Sequence, residues 1–409
     1  MALIVQKYGG SSVATVERLR RVAHRVSETA AQGYQLVVVV SAMGETTDDL
    51  IAVARQLTCR NFRRETDMLL ATGEQQTAAY LAMALLDMGV PAISFTGRMA
   101  GFCTDGNFGN GRIICIETER VEQELACGKV VVAAGFQGAD TDDNIVTLGR
   151  GGSDTSAVAL AVALNADACE IFTDVDGVYT ADPRIVKKAW KMPAISYDEM
   201  LEMAAMGALV LQPRCVELAK HYGVELHVRS SFNDNEGTIV REEAYMLKDI
   251  EKELIVCGVA HDLNVLKTTL FAIPDTPGVA GRIFGALAAD GVNVDMIIQS
   301  GNRHDCQDLS FTCGRDERDK VERIMDALVK ELPADGYTVV DTKAKISIVG
   351  AGMITHSGVA ARMFQVLSAT GCNIDMISTS EIKISCIVDE TKIQQALPAL
   401  HTAFGLDCG

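Results

Sequence analysis

No apolar run in the 409 residues approaches the roughly 18 that a membrane-spanning helix needs. The start, Met-Ala-Leu-Ile-Val-Gln-Lys, holds too short an apolar stretch for a signal peptide, so a cytoplasmic protein is expected. Basic residues are scarce beside acidic ones. Thirty-seven against fifty-four give 37 − 54 = −17, a mean field that repels phosphate backbones and anionic lipid. Neither nucleic acid nor a membrane is expected as a partner, and an anionic small molecule has to be caught by local donors. The twelve cysteines are not few, but no two have the Cys-x-x-Cys spacing of a zinc or redox motif, so reduced, buried thiols are expected.

Several familiar chemical signatures are missing as well. The only Gly-Lys pair, Gly128-Lys129, is followed by Val130, which excludes a Walker A loop. Gly350-Ala-Gly352 has Thr355 where a dinucleotide fingerprint needs its third glycine. With no His-Glu-x-x-His, no Gly-x-Ser-x-Gly and seven dispersed histidines, metalloprotease and serine-hydrolase chemistry have no support.

What is present is an alternation of short apolar runs with helical patterns. Leu3 to Gln6, Leu36 to Val40, Ala92 to Phe95, Val130 to Ala134 and Cys169 to Phe172 read as strands. Val13, Val16, Leu19, Ala23, Val26 and Ala30 mark a helix, a helical stretch runs to about Met88, and Ala157 to Leu164 forms another helix. Continuous apolar strands between helices predict a largely parallel sheet covered on both faces. The pattern fades near Arg229, placing a first domain at 1–240, and the charged stretch Arg241 to Glu253 reads as a linker.

Beyond it the chain repeats itself at an offset of 80 residues. Gly278 to Ser300 aligns without a gap on Gly358 to Ser380, with thirteen of twenty-three positions identical. Each copy reads as strand, turn, helix, two strands and a helix. The first closes with strand Tyr337 to Val340 and the second ends one strand short. The run Leu254 to Val259 has no partner, so it is predicted to cross over and complete the second module's sheet. The modules are then 266–342 and 343–409, preceded by a linker and strand at 241–265.

Three loops follow strands in the first domain, where an open parallel sheet binds ligands. Lys7-Tyr-Gly-Gly-Ser-Ser12 joins adjacent glycines, helix-start amides and a cation, which is what phosphoryl transfer needs; a tight turn beside a surface lysine is the alternative. In Leu148-Gly-Arg-Gly-Gly-Ser-Asp-Thr-Ser156, Arg150 offers a fork to a carboxylate, while Ser153 or Asp154 is expected to cap a helix beginning near Thr155. The loop Thr173 to Arg184 carries three carboxylates that could hold a metal, though without an EF-hand's closing glutamate. A nucleotide site using Tyr179 and Arg184 fits it equally.

Taken together with Ser41-Ala-Met-Gly44 and Gly73-Glu74, these segments resemble the signature motifs of the aspartate kinases of the amino acid kinase superfamily, and the repeats resemble their paired ACT domains. The resemblance implies an α/β amino acid kinase fold followed by two βαββαβ modules. It implies ATP- and Mg2+-dependent phosphorylation of the side-chain carboxylate of L-aspartate, at the head of lysine, threonine and methionine biosynthesis. Lys7 would stabilise the charge on the phosphoryl group in flight, and Asp154 would orient the lysine and its loop. Arg150, Ser153 and Thr47 would hold substrate carboxylate, and Glu74 the ammonium group. Gly9, Gly10, Thr173, Asp174, Tyr179, Asp182 and Arg184 would hold the nucleotide, with no protein ligand to the metal. Where several relatives have lysine this chain has Leu209, and Arg214 is a candidate substitute.

For the ACT modules the resemblance implies lysine or threonine, or both, as effectors. Asp275, Gly278 and Val279, with Gly358 and Val359, offer helix-start amides to an effector carboxylate. Asn293, Asp295 and Gln299, with Asn373, Asp375, Thr379, Ser380 and Glu381, stand near the following strand and could hold an ammonium group; asparagine and aspartate that merely shape turns are the alternative. A homo-oligomer through ACT pairing is expected, and Met246 is a possible start for a separate regulatory chain. Two other readings compete: an amino acid kinase acting on a different carboxylate or on UMP, and a non-catalytic amino-acid sensor.

Overall fold

Valine-rich runs that can be buried on both faces decide the first unit. The computed structural model describes residues 2–60, 62–205, 210–242, 255–301, 305–354 and 356–407. Leu209, Met246, Leu254, Thr355 and the linker beyond residue 242 therefore lie outside the described residues. Two compact units form, one of residues 2–178, 191–205 and 210–242, the other of 179–190 and 255–407.

Twelve strands belong to the first unit: β1 (Leu3–Tyr8), β2 (Gln35–Val40), β3 (Ala92–Phe95), β4 (Phe102–Thr104), β5 (Ile113–Ile116), β6 (Val130–Ala134), β7 (Gln137–Ala139), β8 (Ile145–Thr147), β9 (Ala168–Thr173), β10 (Ala194–Ser196), β11 (Leu226–Ser230) and β12 (Thr238–Arg241). Eight form a sheet in the order β10-β12-β11-β9-β1-β2-β6-β3, parallel except between β11 and β12. The helices are α1 (Val16–Ala31), α2 (Thr46–Leu57), α3 (Arg63–Asp87), α4 (Glu119–Ala126), α5 (Gly152–Ala163), α6 (Tyr197–Ala205) and α7 (Pro213–Tyr222). Leu19, Val22 and Val26 of α1 and Leu81 and Leu85 of α3 pack on Leu36, Val38, Val40, Val130 and Val132. Side chains alternate along a strand, so Val37, Val39 and Val131 point to the other face, where α5 packs on β1, β2 and β9. The expected doubly covered sheet is the one observed. Among the described residues no helix is long and apolar enough to cross a membrane.

Two local expectations are corrected. Helix α5 starts at Gly152, and neither Ser153 nor Asp154 caps it: its N-cap is Gly151 at φ +70°, following Gly149 at φ +76°. Positive φ is open to glycine, so the chain turns straight into the helix and leaves both side chains in its first turn. Nor are all cysteines buried: Cys59, Cys115 and Cys127 are exposed.

The second unit contains strands β13 (Gly258–Pro274), β14 (Ile297–Gln299), β15 (Cys306–Cys313), β16 (Gly336–Val349), β17 (Ile374–Thr379) and β18 (Lys383–Asp389). They form one antiparallel sheet, β14-β15-β13-β16-β18-β17. Helices α8 (Val279–Ala289), α9 (Arg318–Glu331), α10 (Val359–Ala369) and α11 (Ile393–Ala403) complete it. Strand β13 runs through both repeats. Its first residues, Gly258 to Asp262, pair with Val349 to Lys345, and its later ones, Lys267 to Phe271, pair with Val340 to Gly336. Val256 and Val259 lie in the core formed by Met363, Leu367, Cys386 and Leu397 of the second repeat, whereas Leu270 packs with Ile283, Leu287, Phe311 and Met325 of the first. Ala181 and Val186 join the second-repeat core. The segment 179–190 is fastened there by Thr180 Oγ1 to His401 Nε2 at 2.9 Å and by the Trp190 indole donating to Leu406 O at 3.0 Å.

Candidate active site

Parallel strands aim their carboxyl ends at one edge of the sheet, and a cavity of about 860 Å3 opens there. Its walls include Lys7, Gly10, Thr47, Glu74, Arg150, Ser153 and Asp154. Every residue expected to be catalytic or to bind the acceptor therefore lines the same cavity.

Lys7 is the penultimate residue of β1. Its neighbour Tyr8 is fully buried and stacks on Phe172 of β9, with ring centroids 4.7 Å apart and planes 6° from parallel. The two are register partners, so their stacking holds the end of β1 in place. Lys7 Nζ forms a buried ion pair with Asp154 Oδ1, the carboxylate arriving on the first turn of α5. Each charge makes the other's burial tolerable. Glycine is needed at position 10, where a Cβ would stand 2.9 Å from Ala42 O, and space is tight at Gly9, where a Cβ would stand 3.3 Å from Lys7 Nζ. The Gly9 amide itself donates to Phe172 O at 3.2 Å.

Glu74 reaches the cavity from α3. Its Oε1 accepts from the Ala42 amide at 3.1 Å, while buried Oε2 has no hydrogen-bond partner among the described residues. Burial pushes its carboxyl up to about 7. An orphaned carboxylate oxygen in such a place suits an incoming ammonium group. Arg150 is exposed on the glycine turn and has no ion-pair partner among the described residues, which leaves its fork available to a carboxylate.

Two further residues brace the site. Asp67 is buried and accepts from Gly109 N, Thr147 N and Thr147 Oγ1, each at 2.8 Å. It stands seven residues before Glu74, two turns along the same face of α3, a spacing visible in the sequence. Arg214 donates from Nη1 to Leu148 O and from Nη2 to Gly111 O, both at 2.9 Å. Its guanidinium braces the chain leading into the arginine loop. Arg214 is not among the residues that line the cavity with Lys7, and both ends of its fork are engaged, so the structure adds no support to its reading as a substitute cation for phosphate.

The residues expected at the nucleotide are distributed over both units. Thr173 ends β9, and its hydroxyl donates to exposed Asp174 at 3.1 Å. Tyr179, Asp182 and Arg184 fold with the second unit. Arg184 donates to Asp182 from Nε at 3.0 Å and from Nη2 at 2.8 Å. Although burial alone would raise the Asp182 carboxyl, these bonds hold it below its ordinary value.

At the repeats, Gly278 and Gly358 precede α8 and α10 with φ of +95° and +91°, while Val279 and Val359 are buried beneath those helices. Asp295 pairs with Lys345 at 2.7 Å, and Asp375 with Lys267 at 3.0 Å and Lys343 at 3.1 Å. The Gln299 amide donates to Gln307. Asp275, Asn293, Thr379, Ser380 and Glu381 are exposed, as is Asn373.

The amino acid kinase family model matches residues 2–230, and an ACT domain model matches 272–325 and 346–404. Those matches define the class, an amino acid kinase carrying ACT domains. The aspartokinase of Bacillus sp. (strain MGA3) is 50% identical over 406 residues, spanning 99% of this chain and 98% of the relative. The crystal structure of aspartate kinase from Synechocystis is 47% identical with a TM-score of 0.55, covering 99% of this chain and 70% of that one. E. coli aspartokinase III, solved with lysine and aspartate, is 25% identical with a TM-score of 0.75, over 98% of this chain and 99% of that one. Its complex with aspartate and ADP shares the fold at a TM-score of 0.82 and 24% identity, with the same coverage. The chain belongs to the aspartokinases.

Proposed function

We propose that this chain transfers the γ-phosphoryl group of ATP to the side-chain carboxylate of L-aspartate, giving 4-phospho-L-aspartate, as the first step of lysine, threonine and methionine biosynthesis. The observation that carries the reading is the gathering of Lys7, Asp154, Arg150, Ser153, Thr47 and Glu74 around one cavity. Arg150, Ser153 and Thr47 hold substrate carboxylate, and Glu74 Oε2 takes the ammonium group. The acceptor carboxylate attacks directly, so no protein nucleophile is required. Lys7 neutralises charge on the group in flight, and Asp154 keeps the ammonium of Lys7 in place. Gly9, Gly10, Thr173, Asp174, Tyr179, Asp182 and Arg184 are proposed to hold the nucleotide, with Arg184 exchanging Asp182 for phosphate. A magnesium ion is proposed to be carried mainly on phosphate oxygens and water, with no protein ligand. Bound there, the ion would neutralise phosphate charge.

The proposed organisation is a cytoplasmic catalytic domain at 1–240, a linker and strand at 241–265, and ACT modules at 266–342 and 343–409, pairing in a homo-oligomer. Lysine or threonine, or both, inhibit through the ACT modules with a coupling on the order of 1–3 kcal/mol. The lysine complex of E. coli aspartokinase III supports an amino-acid effector. A coupled ATP-turnover assay offered aspartate, glutamate and UMP separately tests the catalytic reading: turnover is expected with aspartate, and turnover only with another acceptor overturns it.

A further inference from the structure

Cys103 on β4 and Cys115 on β5 stand directly opposite one another in an antiparallel pair. Opposed residues of such a pair have Cα atoms about 4.5 or 5.5 Å apart and share one face, and both separations fall within the roughly 4.4–6.8 Å that a disulfide spans. The Cys103 thiol donates to Gly101 O at 3.6 Å, on its own side of the hairpin base. Cys115 is exposed and Cys103 half-buried, an arrangement in which one sulfur meets the solvent and the other waits behind it. The register slips just past the pair, between Cys103 and Thr104, so the ladder is already irregular where a cross-link would need adjustment.

We propose that Cys103 and Cys115 are a reversible dithiol–disulfide site at the base of the hairpin whose tip, Asn107 to Asn110, walls the acceptor cavity. The tip is bound to that cavity by Gly109 N donating to Asp67 at 2.8 Å and by Gly111 N donating to Thr147 O at 2.8 Å. The oxidant is a low-molecular-weight disulfide. The Cys115 thiolate attacks one of its sulfurs, forming a mixed disulfide and releasing one thiolate. Cys103 then gives up its proton to solvent and attacks the Cys115 sulfur, expelling the second thiolate. Two electrons pass from the protein to the small disulfide, which leaves as two thiols. Cross-linking removes the hairpin's freedom to adjust around the acceptor, so the KM for aspartate rises; this consequence rests on the function proposed above.

The test treats the full-length reduced protein with oxidised glutathione, maps its peptides, and measures the aspartate KM before and after. A Cys103–Cys115 cross-link reversed by dithiothreitol is expected, with a several-fold rise in KM that is absent from Cys115→Ser and Cys103→Ser. A glutathione adduct on Cys115 that Cys103 never resolves, or no reaction at either residue, overturns the site. A cross-linked protein with unchanged KM overturns its control of the cavity. Reduced enzyme that phosphorylates no aspartate overturns the proposed function instead, since the cross-link is read by mass alone.

Discussion

Glu74 carries a conflict between stability and binding that can be measured. Burial lifts its carboxyl from an ordinary 4.5 to about 7. Each pH unit between those values is worth about 1.36 kcal/mol, so holding the carboxylate ionised in the folded chain costs about 3 kcal/mol. Below the unfolded value both states are protonated and there is no penalty. Between 4.5 and 7 the unfolded chain releases this proton and the folded chain keeps it, so stability falls as pH rises; above 7 the loss is constant. Glu74→Gln keeps an acceptor for the Ala42 amide and removes the charge. It should gain about 3 kcal/mol at pH 8 and little near pH 4.5, read from chemical unfolding at each pH. The same charge is what an ammonium group needs. The wild-type aspartate KM should therefore rise about tenfold for each pH unit below 7, while that of the variant is raised about 10- to 100-fold and stays flat with pH. A variant no more stable than wild type at pH 8, or a wild-type KM indifferent to pH between 6 and 8, refutes the reasoning.

Lys7→Ala should lower kcat about 10²- to 10³-fold and, by leaving Asp154 buried without its partner, destabilise the fold by about 3 kcal/mol. Adding Asp154→Asn should restore stability but not turnover, which separates the two roles by calorimetry and steady-state kinetics. Arg214→Ala removes the brace under Leu148 and Gly111, so the aspartate KM should rise with the ATP KM unchanged; a rise in the ATP KM alone would return Arg214 to the phosphates. Asp275→Ala should relieve inhibition in titrations with lysine and threonine while uninhibited turnover stays near normal, and a variant still fully inhibited counts against an effector role for Asp275.

The valine runs of β2 and β6 identify buried parallel strands wherever they occur, because only a sheet covered on both faces accommodates them. The glycines around Arg150 likewise announce a loop built for close approach. Other features depend on partners distant in sequence. Arg214 looks like a spare cation until Leu148 O and Gly111 O are seen to receive its fork. Asp295 and Asp375 look free to hold an ammonium group until lysines of β16 and β13 appear beside them. Asp67 was within reach of the sequence, since seven residues on a helix return a side chain to the same face as Glu74.

By itself, then, the sequence determined the kinds of element, the duplicated module and the residue types that phosphoryl transfer to a carboxylate requires, because periodicity, glycine placement and charge are local properties. Tertiary structure alone decided which of those groups meet. It seated Lys7 against Asp154 across 147 positions (154 − 7) of chain, left Glu74 Oε2 without a hydrogen-bond partner among the described residues, and set Cys103 opposite Cys115. It also took residues 179–190, which the sequence assigns to the first domain, into the core of the second unit. Such meetings depend on sheet order and register, and those arise from the packing of the whole chain.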